Sequence, residues 1–388
     1  MENIPAEREK RIKPVKVRAH APFAFSWYFN NRQVSEKVLE AMVLNTTFNT
    51  LPVLPGWVAR LNEELIVRSI FGTAAIEGSP ITENEVSDLV AAPGDIVPKN
   101  ERERIILNLR AAYQFAGVGQ GKPVNLEPFL ISEKHITKLH EIITRGIDDR
   151  RYLPGIYRYE AVEVGDADHG GRYRPPKVPD DIKRLMQEFV EWVNSDEIIK
   201  GVAPAVRAFL VHYHLALIHP FKDGNGRVAR VLEAEILERA GFWYVPLMMS
   251  NYYYQHIDDY YRAFTAAEKN EFDLTPFLIF CLDGLVACLR EMHKRISDQI
   301  RILALRKYYE ELRTERKLTS RQHALLLILL EGENEFKAPE LKSRAEFMGW
   351  YQNVSDRSAA RDIRKLLDMK LIVKADGDKY KLNTKALG

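Results

Sequence analysis

The sequence predicts a mainly α-helical protein with one β-hairpin in its middle and a small helix-and-hairpin domain at its end. Three observations lead there. Apolar residues recur at spacings of three and four along most of the first 300 positions, a single stretch at 155–177 alternates instead, and after about residue 300 the pattern becomes three helices closed by two short strands.

In chain order the helical stretches are EKVLEAMVLNTTFNTL, LNEELIVRSIFGTAAIEG, ENEVSDLVAA, ERERIILNLRAAYQFA and SEKHITKLHEIITRGI. They continue with PDDIKRLMQEFVEWVNS, APAVRAFLVHYHLALI and GRVARVLEAEILERAG. Pro, Gly and Asn separate them, as expected of residues that end helices or turn the chain. Between 155 and 177, GIYRYEAVEVGD alternates, DADHGG supplies a turn, and RYRPP closes a return segment, which predicts a β-hairpin. Beyond residue 300, SRQHALLLILLEG, KAPELKSRAEF and VSDRSAARDIRKLLDMKLI read as three helices. LIVKADGDKYKLN follows as two strands joined at Asp376-Gly377. That order is the order of a winged helix. A boundary is expected between 300 and 316, where RKYYEELRTERKL is a charged helix or linker.

The chain has 388 residues, enough for more than one domain at about 100–200 residues each. Its 46% hydrophobic and 28% charged content is that of an ordinary soluble globular protein. Against 54 acidic side chains stand 56 basic ones, so whole-chain charge gives no reason to expect nucleic acid or membrane binding. The two cysteines, Cys281 and Cys288, lie on one face of an apolar helical run and read as small hydrophobes, with a reducing cytoplasm as the expected home. The N-terminus lacks the apolar core of a signal peptide, and FLIFCLDGLVACL is too short for a membrane span and carries Asp283.

The chemistry concentrates in HPFKDGNGRVAR, His219 to Arg230. Gly224, Asn225 and Gly226 tolerate backbone conformations that let consecutive N–H groups converge on an anion, and the helix starting at Arg227 adds its positive end. Arg227 and Arg230 are three apart, so a helix places both cations on one side. Asp223 offers one hard oxygen ligand, enough for Mg²⁺ when phosphates complete its shell. His219 takes a proton near neutral pH. A base, a metal ligand, an anion nest and a charge clamp suggest phosphoryl or nucleotidyl transfer. The loop lacks the lysine of a Walker pattern. His212 and His214 read as an ordinary hydrogen-bonded pair, because no acidic or thiolate partner stands at metal-ligand spacing.

HPFKDGNGRVAR resembles, at all nine specified positions, the Fic motif HPFxDGNGRxxR. The resemblance covers about 40–300 and implies a Fic-type helical core, with an N-terminal helical region at 1–110 and a catalytic core at 111–300 carrying a flap hairpin at 156–175; the winged helix read from the C-terminal pattern follows at 316–388. Fic domains transfer part of a nucleotide, usually AMP from ATP, onto a protein hydroxyl. The resemblance implies that His219 deprotonates a Ser, Thr or Tyr acceptor and that Asp223 holds Mg²⁺. Asn225 with the Gly224–Gly226 backbone would hold the α- and β-phosphates, Arg227 the β-phosphate and Arg230 the γ-phosphate. Phe221 would root the loop, Pro220 would set its turn, and the flap would align the target as an added strand. Tyr252, Tyr260 and Tyr261 are candidates for nucleobase contacts, set against core packing. A homodimer is compatible with the family.

Thr73-Ala-Ala-Ile-Glu77-Gly78 resembles the family's inhibitory pattern, in an N-terminal helix around 65–78. Thr73 and Glu77 share a helix face and Gly78 ends it. Glu77 would then pair with Arg230, occupy the γ-phosphate position and turn the α-phosphate out of line. Related activities remain open: another donor nucleotide, or removal of AMP with Glu77 orienting a water. The alternative from a different class is a DNA-binding regulator. Arg357, Arg361, Arg364 and Lys365 on the third C-terminal helix, with Lys374, Lys379 and Lys381 on the wing, would contact phosphates, diluted by Asp356, Asp362 and Asp368.

Overall fold

APAVRAFLVHYHLALI is apolar on nearly every side, and a helix of that kind must be surrounded. In the computed structural model it forms the helix Pro204–Ile218, buried almost throughout, lying against the helix Asn225–Arg239, which is buried along most of its length. The second helix takes Arg227, Arg230, Glu233, Glu235 and Glu238 inside with it. Buried charges need partners, so these residues constrain everything packed around them. The structure describes residues 8–18, 23–92, 96–120, 128–147, 153–165, 173–332 and 335–386.

Residues 1–292 form one compact unit and 293–388 a second. The expected separation of 1–110 from 111–300 is therefore absent. The helix Pro55–Ile76 packs along the helix Pro246–Gln255, and Gly72 sits so close that an added Cβ would lie 2.8 Å from the Asn251 backbone. The N-terminal region is also not purely helical. Ile12–Val15 (β1) pairs antiparallel with Phe23–Ser26 (β2), Ile12 facing Ser26 and Val15 facing Phe23. Phe25 of β2 stacks on Trp192 at 5.3 Å. Around this core stand Asn31–Asn49, Glu83–Ala91, Glu101–Phe115, Glu133–Thr144, Pro179–Val193 and Ile257–Lys269.

The predicted hairpin at 156–175 is reduced to one antiparallel bridge, with Val164 and Tyr173 exchanging backbone hydrogen bonds of 2.9 and 2.8 Å. Its turn, 166–172, lies outside the described residues. Pro175, Pro176 and Pro179 have no N–H to donate, so the return segment cannot extend a ladder. Arg158 on the outgoing segment turns inward instead of alternating outward.

The helix Thr275–Thr314 continues through the stretch expected to hold the boundary, and the division between units falls inside it, between Met292 and His293. In the second unit Leu305, Tyr309 and Leu312 join Leu326 and Leu329, Phe336, Phe347, Ile363, Leu366 and Leu382 in one core. Ser320–Glu331 starts with a Thr319/Gln322 capping box. The second expected helix is split into a 3₁₀ turn, Ala338–Lys342, and the helix Ala345–Tyr351. The third helix, Asp356–Asp368, precedes Ile372–Ala375 (β4) and Lys379–Leu382 (β5). Glu335–Lys337 (β3) adds a third strand that the sequence pattern did not reveal, giving the order β3-β5-β4. Among the described residues no helix is long and apolar enough to cross a membrane.

Gly72→Ala tests the close helix contact. Alanine favours a helix by about 1 kcal/mol, whereas overpacking against a neighbouring backbone costs ~1–3 kcal/mol. Urea denaturation should show net destabilisation; unchanged or raised stability would contradict the approach of these two helices.

Candidate active site

The helix Pro204–Ile218 stops at His219, whose backbone is left-handed (φ 49°, ψ 58°) with its N–H on Leu215. Pro220 then prevents the helix from resuming. The His219 Nδ1 lies 3.2 Å from the Ala216 carbonyl. A carbonyl only accepts, so the proton sits on Nδ1 and Nε2 presents its lone pair. Burial, with Arg158 adding to it, lowers the pKa of His219 to about 4, so the ring is neutral at physiological pH.

The loop after it is tied down from inside. Phe221 is buried, and the Asn225 side chain both accepts from its N–H and donates to its carbonyl, each at 2.9 Å. That side chain is therefore committed to the loop, and only the Asn225 backbone is left for the anion role expected of it. Gly224, with φ 84°, caps the helix Asn225–Arg239, which has no side-chain N-cap. An added Cβ on Gly226 would stand 2.3 Å from Glu77 Oε1, so only glycine fits there. Asp223 is ion-paired at 3.0 Å with the buried Arg227, whose helix begins beside it.

Arg230 lies one turn further on and is 2% exposed. Its Nε donates to Thr73 Oγ1 at 2.6 Å, and its Nη2 donates to the Thr73 carbonyl at 3.0 Å and to Glu77 Oε1 at 2.6 Å. Glu77 is the C-cap of the helix Pro55–Ile76, and Gly78 follows with φ 71°. Thr73 and Glu77 thus reach one guanidinium from a helix 153 positions earlier than Glu77's partner. Burial opposes the charge on Arg230, but Glu77 more than offsets it and keeps the group protonated.

The tyrosines divide. Tyr260 is buried with its hydroxyl 2.8 Å from His212 Nε2, a core position rather than a nucleobase wall. Tyr261 is half-buried beside it. Tyr252 lies over Gly284 and lines a cavity with Leu65, Arg68, Cys288 and Glu291, to which no residue of the 219–230 loop contributes. His212 also bonds Glu233, and His214 bonds Ser26 through Nε2 while its Nδ1 is buried without a partner, so both are core histidines.

Two supporting residues escaped the sequence reading. His140, buried on the helix Glu133–Thr144, stacks flat on Phe221 with ring centroids 3.7 Å apart. Its Nδ1 accepts the Gly155 N–H at 3.0 Å, so its Nε2 carries the proton donated to the Asp223 carbonyl at 2.9 Å. Arg158 donates to the carbonyls of His219, Glu160 and Pro176 at 2.6–2.8 Å, and its own N–H bonds the Pro220 carbonyl. On an apolar helix face and in an alternating stretch, neither carried a distinctive signal.

Burial holds both His140 and His214 down to about 4. An unfolded histidine takes its proton near ~6.5, so below that pH the unfolded state binds protons that the folded state refuses. Stability is intact above pH ~6.5 and should fall toward pH 4, at up to ~1.4 kcal/mol per pH unit for each ring. Denaturation midpoints measured from pH 7.5 to 5 should drop; a flat profile would contradict the buried neutral rings.

With this geometry in place, residues 130–237 match the Fic/DOC family. The chain is 31% identical over 228 residues to the protein adenylyltransferase Fic of Aedes aegypti, an alignment covering 58% of this chain and 41% of that protein. It thus spans about two fifths of the length of the curated relatives it matches. Among solved structures, a Fic family protein from Desulfovibrio desulfuricans superposes with a TM-score of 0.55 at 20% identity, covering 92% of this chain and 97% of the other. Residues 134–508 of C. elegans Fic-1 give 0.54 at 23% identity, covering 69% and 74%. The fold is shared with these structures, and the chain carries a Fic/DOC-family domain at residues 130–237.

Proposed function

We propose that the protein is an adenylyltransferase that moves AMP from Mg·ATP to a Ser, Thr or Tyr hydroxyl of a target protein and is restrained by Glu77. The observation that carries the reading is the meeting, at one loop, of a histidine whose Nδ1 is bonded to a carbonyl, leaving the lone pair on Nε2, and two buried guanidinium groups at a helix start without a side-chain cap. Helix N-termini and fixed cations suit phosphates. The absence of a Cβ at Gly226 leaves room for them once Glu77 moves.

Asp223 suits a magnesium ion, since Mg²⁺ bound to phosphates needs only one or two carboxylates. Such an ion would neutralise phosphate charge and orient the donor. The backbone of 224–226 with Arg227 would hold the α- and β-phosphates, and Arg230 the γ-phosphate. The acceptor oxygen attacks the α-phosphorus, its proton passes to His219 Nε2, and the bond to the β-phosphate oxygen breaks, releasing pyrophosphate. The neutral state of His219 suits that role. The extended segment beside Val164 and Tyr173, with Ile156 and Tyr159 exposed, would align the target. While Glu77 holds Arg230, the γ-phosphate has no clamp and the α-phosphate no fixed line of attack.

Incubation with α-labelled ATP and a lysate tests this. His219→Ala should lower labelling by ~10²–10⁴-fold, whereas Glu77→Gly should raise it about tenfold or more by freeing Arg230. Full transfer in folded His219→Ala would refute the base. If Glu77→Gly labels no better than the parent and loses the ability to remove AMP from a modified target, the reading of Glu77 as a water-orienting residue replaces inhibition.

A second reading concerns the second unit, favoured by how charge is divided. Residues 293–388 carry 21 basic against 14 acidic side chains, a net +7, while 1–292 carry 35 against 40, a net −5. Asp362, expected to dilute the basic helix, points inward to Arg321 (2.6 Å) and Gln322 (2.9 Å), leaving Arg357, Arg361 and Arg364 exposed with Lys374 and Lys381 on the strand pair. We infer that this surface contacts duplex phosphates. The full chain should bind a labelled duplex at 50 mM salt, and replacing the three arginines by alanine should reduce the salt slope by about 3. No binding at low salt would exclude this reading.

A further inference from the structure

Arg158 is buried as deeply as Arg227 and Arg230. Unlike them, it has no carboxylate partner among the described residues. Three main-chain carbonyls meet its charge instead. Its Nε donates to His219 at 2.7 Å, its Nη1 to Glu160 at 2.8 Å and its Nη2 to Pro176 at 2.6 Å. A planar guanidinium suits this task, because its donors point outward in fixed directions.

The three acceptors belong to three separate stretches. Glu160 lies on the outgoing limb that leads to Val164, Pro176 on the return limb after Tyr173, and His219 at the head of the loop 219–230. Pro175 and Pro176 offer no N–H, so that part of the return limb is held through a carbonyl. His219 has anchors of its own. Its N–H bonds the Leu215 carbonyl at 3.0 Å and its Nδ1 lies 3.2 Å from the Ala216 carbonyl. The main-chain N–H of Arg158 bonds the Pro220 carbonyl at 2.9 Å, whatever side chain stands at 158. The outgoing limb also keeps a second link, from Glu160 to Lys222 at 3.1 Å. What the guanidinium adds is a tie from both limbs, the return limb above all, to the residue that carries the base.

We propose that Arg158 is a positioning residue that fixes both limbs of the flap to the main chain of His219, so that a hydroxyl on a target strand beside Val164 and Tyr173 arrives in line with Nε2. This rests on the reading of His219 as the base and of the extended segment as the place where the target docks. The consequence lies in the choice of acceptor. A protein hydroxyl must be held by the flap, whereas water reaches the α-phosphorus unaided. The water oxygen then attacks, its proton passes to His219 Nε2, the bond to the β-phosphate oxygen breaks, and AMP and pyrophosphate leave. Loosening the flap therefore favours water over protein.

The test uses the full chain carrying Glu77→Gly, α-labelled ATP with Mg²⁺, and the acceptor protein that the lysate assay labels. Label on protein and free AMP are measured together, with His219→Ala as the blank. Arg158→Met keeps an unbranched stem and removes every side-chain donor. It should lower the ratio of protein-bound to free AMP about ten- to a hundredfold, the scale of a misplacement of about 1 Å, with ATP affinity within about twofold of the parent. Arg158→Lys keeps the charge without the planar fork, should lower the ratio by less, and covers the case in which Arg158→Met does not fold. Equal losses of both products, an unchanged ratio, or a matching loss of ATP affinity would overturn the proposal in favour of plain structural bracing. If Glu77→Gly labels no protein at all, the transferase reading falls and takes this inference with it. If it labels protein and the ratio holds in the folded Arg158 variants, only the coupling falls.

Discussion

The structure around the site depends on one buried cation. Arg230 lies on a helix that packs deep against Pro204–Ile218, where an unpaired guanidinium would cost several kcal/mol. The protein resolves this by bringing Thr73 and Glu77 to its guanidinium. Each partner fixes a neighbour in turn. The helix Pro55–Ile76 must lie close enough for Glu77 to reach, which Gly72 permits against Asn251 and Gly226 permits against Glu77. A charge satisfied by a removable partner is suited to being handed to a ligand, because the desolvation cost is already borne by the fold.

The loop 219–230 is held in a complementary way, largely through its main-chain carbonyls. Asn225 staples both ends of Phe221, His140 supports the Asp223 carbonyl, and Arg158 gathers the carbonyls of His219, Glu160 and Pro176. Main-chain carbonyls turned toward these donors are drawn inward. The same burial keeps His219 and His140 neutral.

Helices were legible because burial on one side imposes a 3.6-residue period, and the Glu77–Arg230 pair was legible only through the resemblance of both motifs to one family, since 153 positions separate them. What escaped notice has physical reasons. β1 contains Pro14 and spans four residues, too few to show alternation, and β3 is three residues long. Alternation at 156–165 suggested a ladder, but the prolines that follow cannot donate to one, and Arg158 serves carbonyls where a strand charge would face solvent. His140 sits at an apolar helix position, where histidine usually marks ordinary packing. The tyrosine-rich segment left nucleobase contact and core packing open, because spacing alone does not show that Tyr260 faces His212 and Tyr252 faces a separate cavity. Sequence spacing shows which residues share a helix face, but not which neighbour that face will meet.

The central claim is that Glu77 and a γ-phosphate compete for Arg230. Comparing ATP with ADP affinity in the parent and in Glu77→Gly addresses it most directly. With Arg230 occupied, the third phosphate should add little, and the parent should bind the two nucleotides within about threefold of each other. With Glu77 removed, ATP should gain about tenfold or more over ADP. An ATP preference of the same size in both proteins would contradict the account.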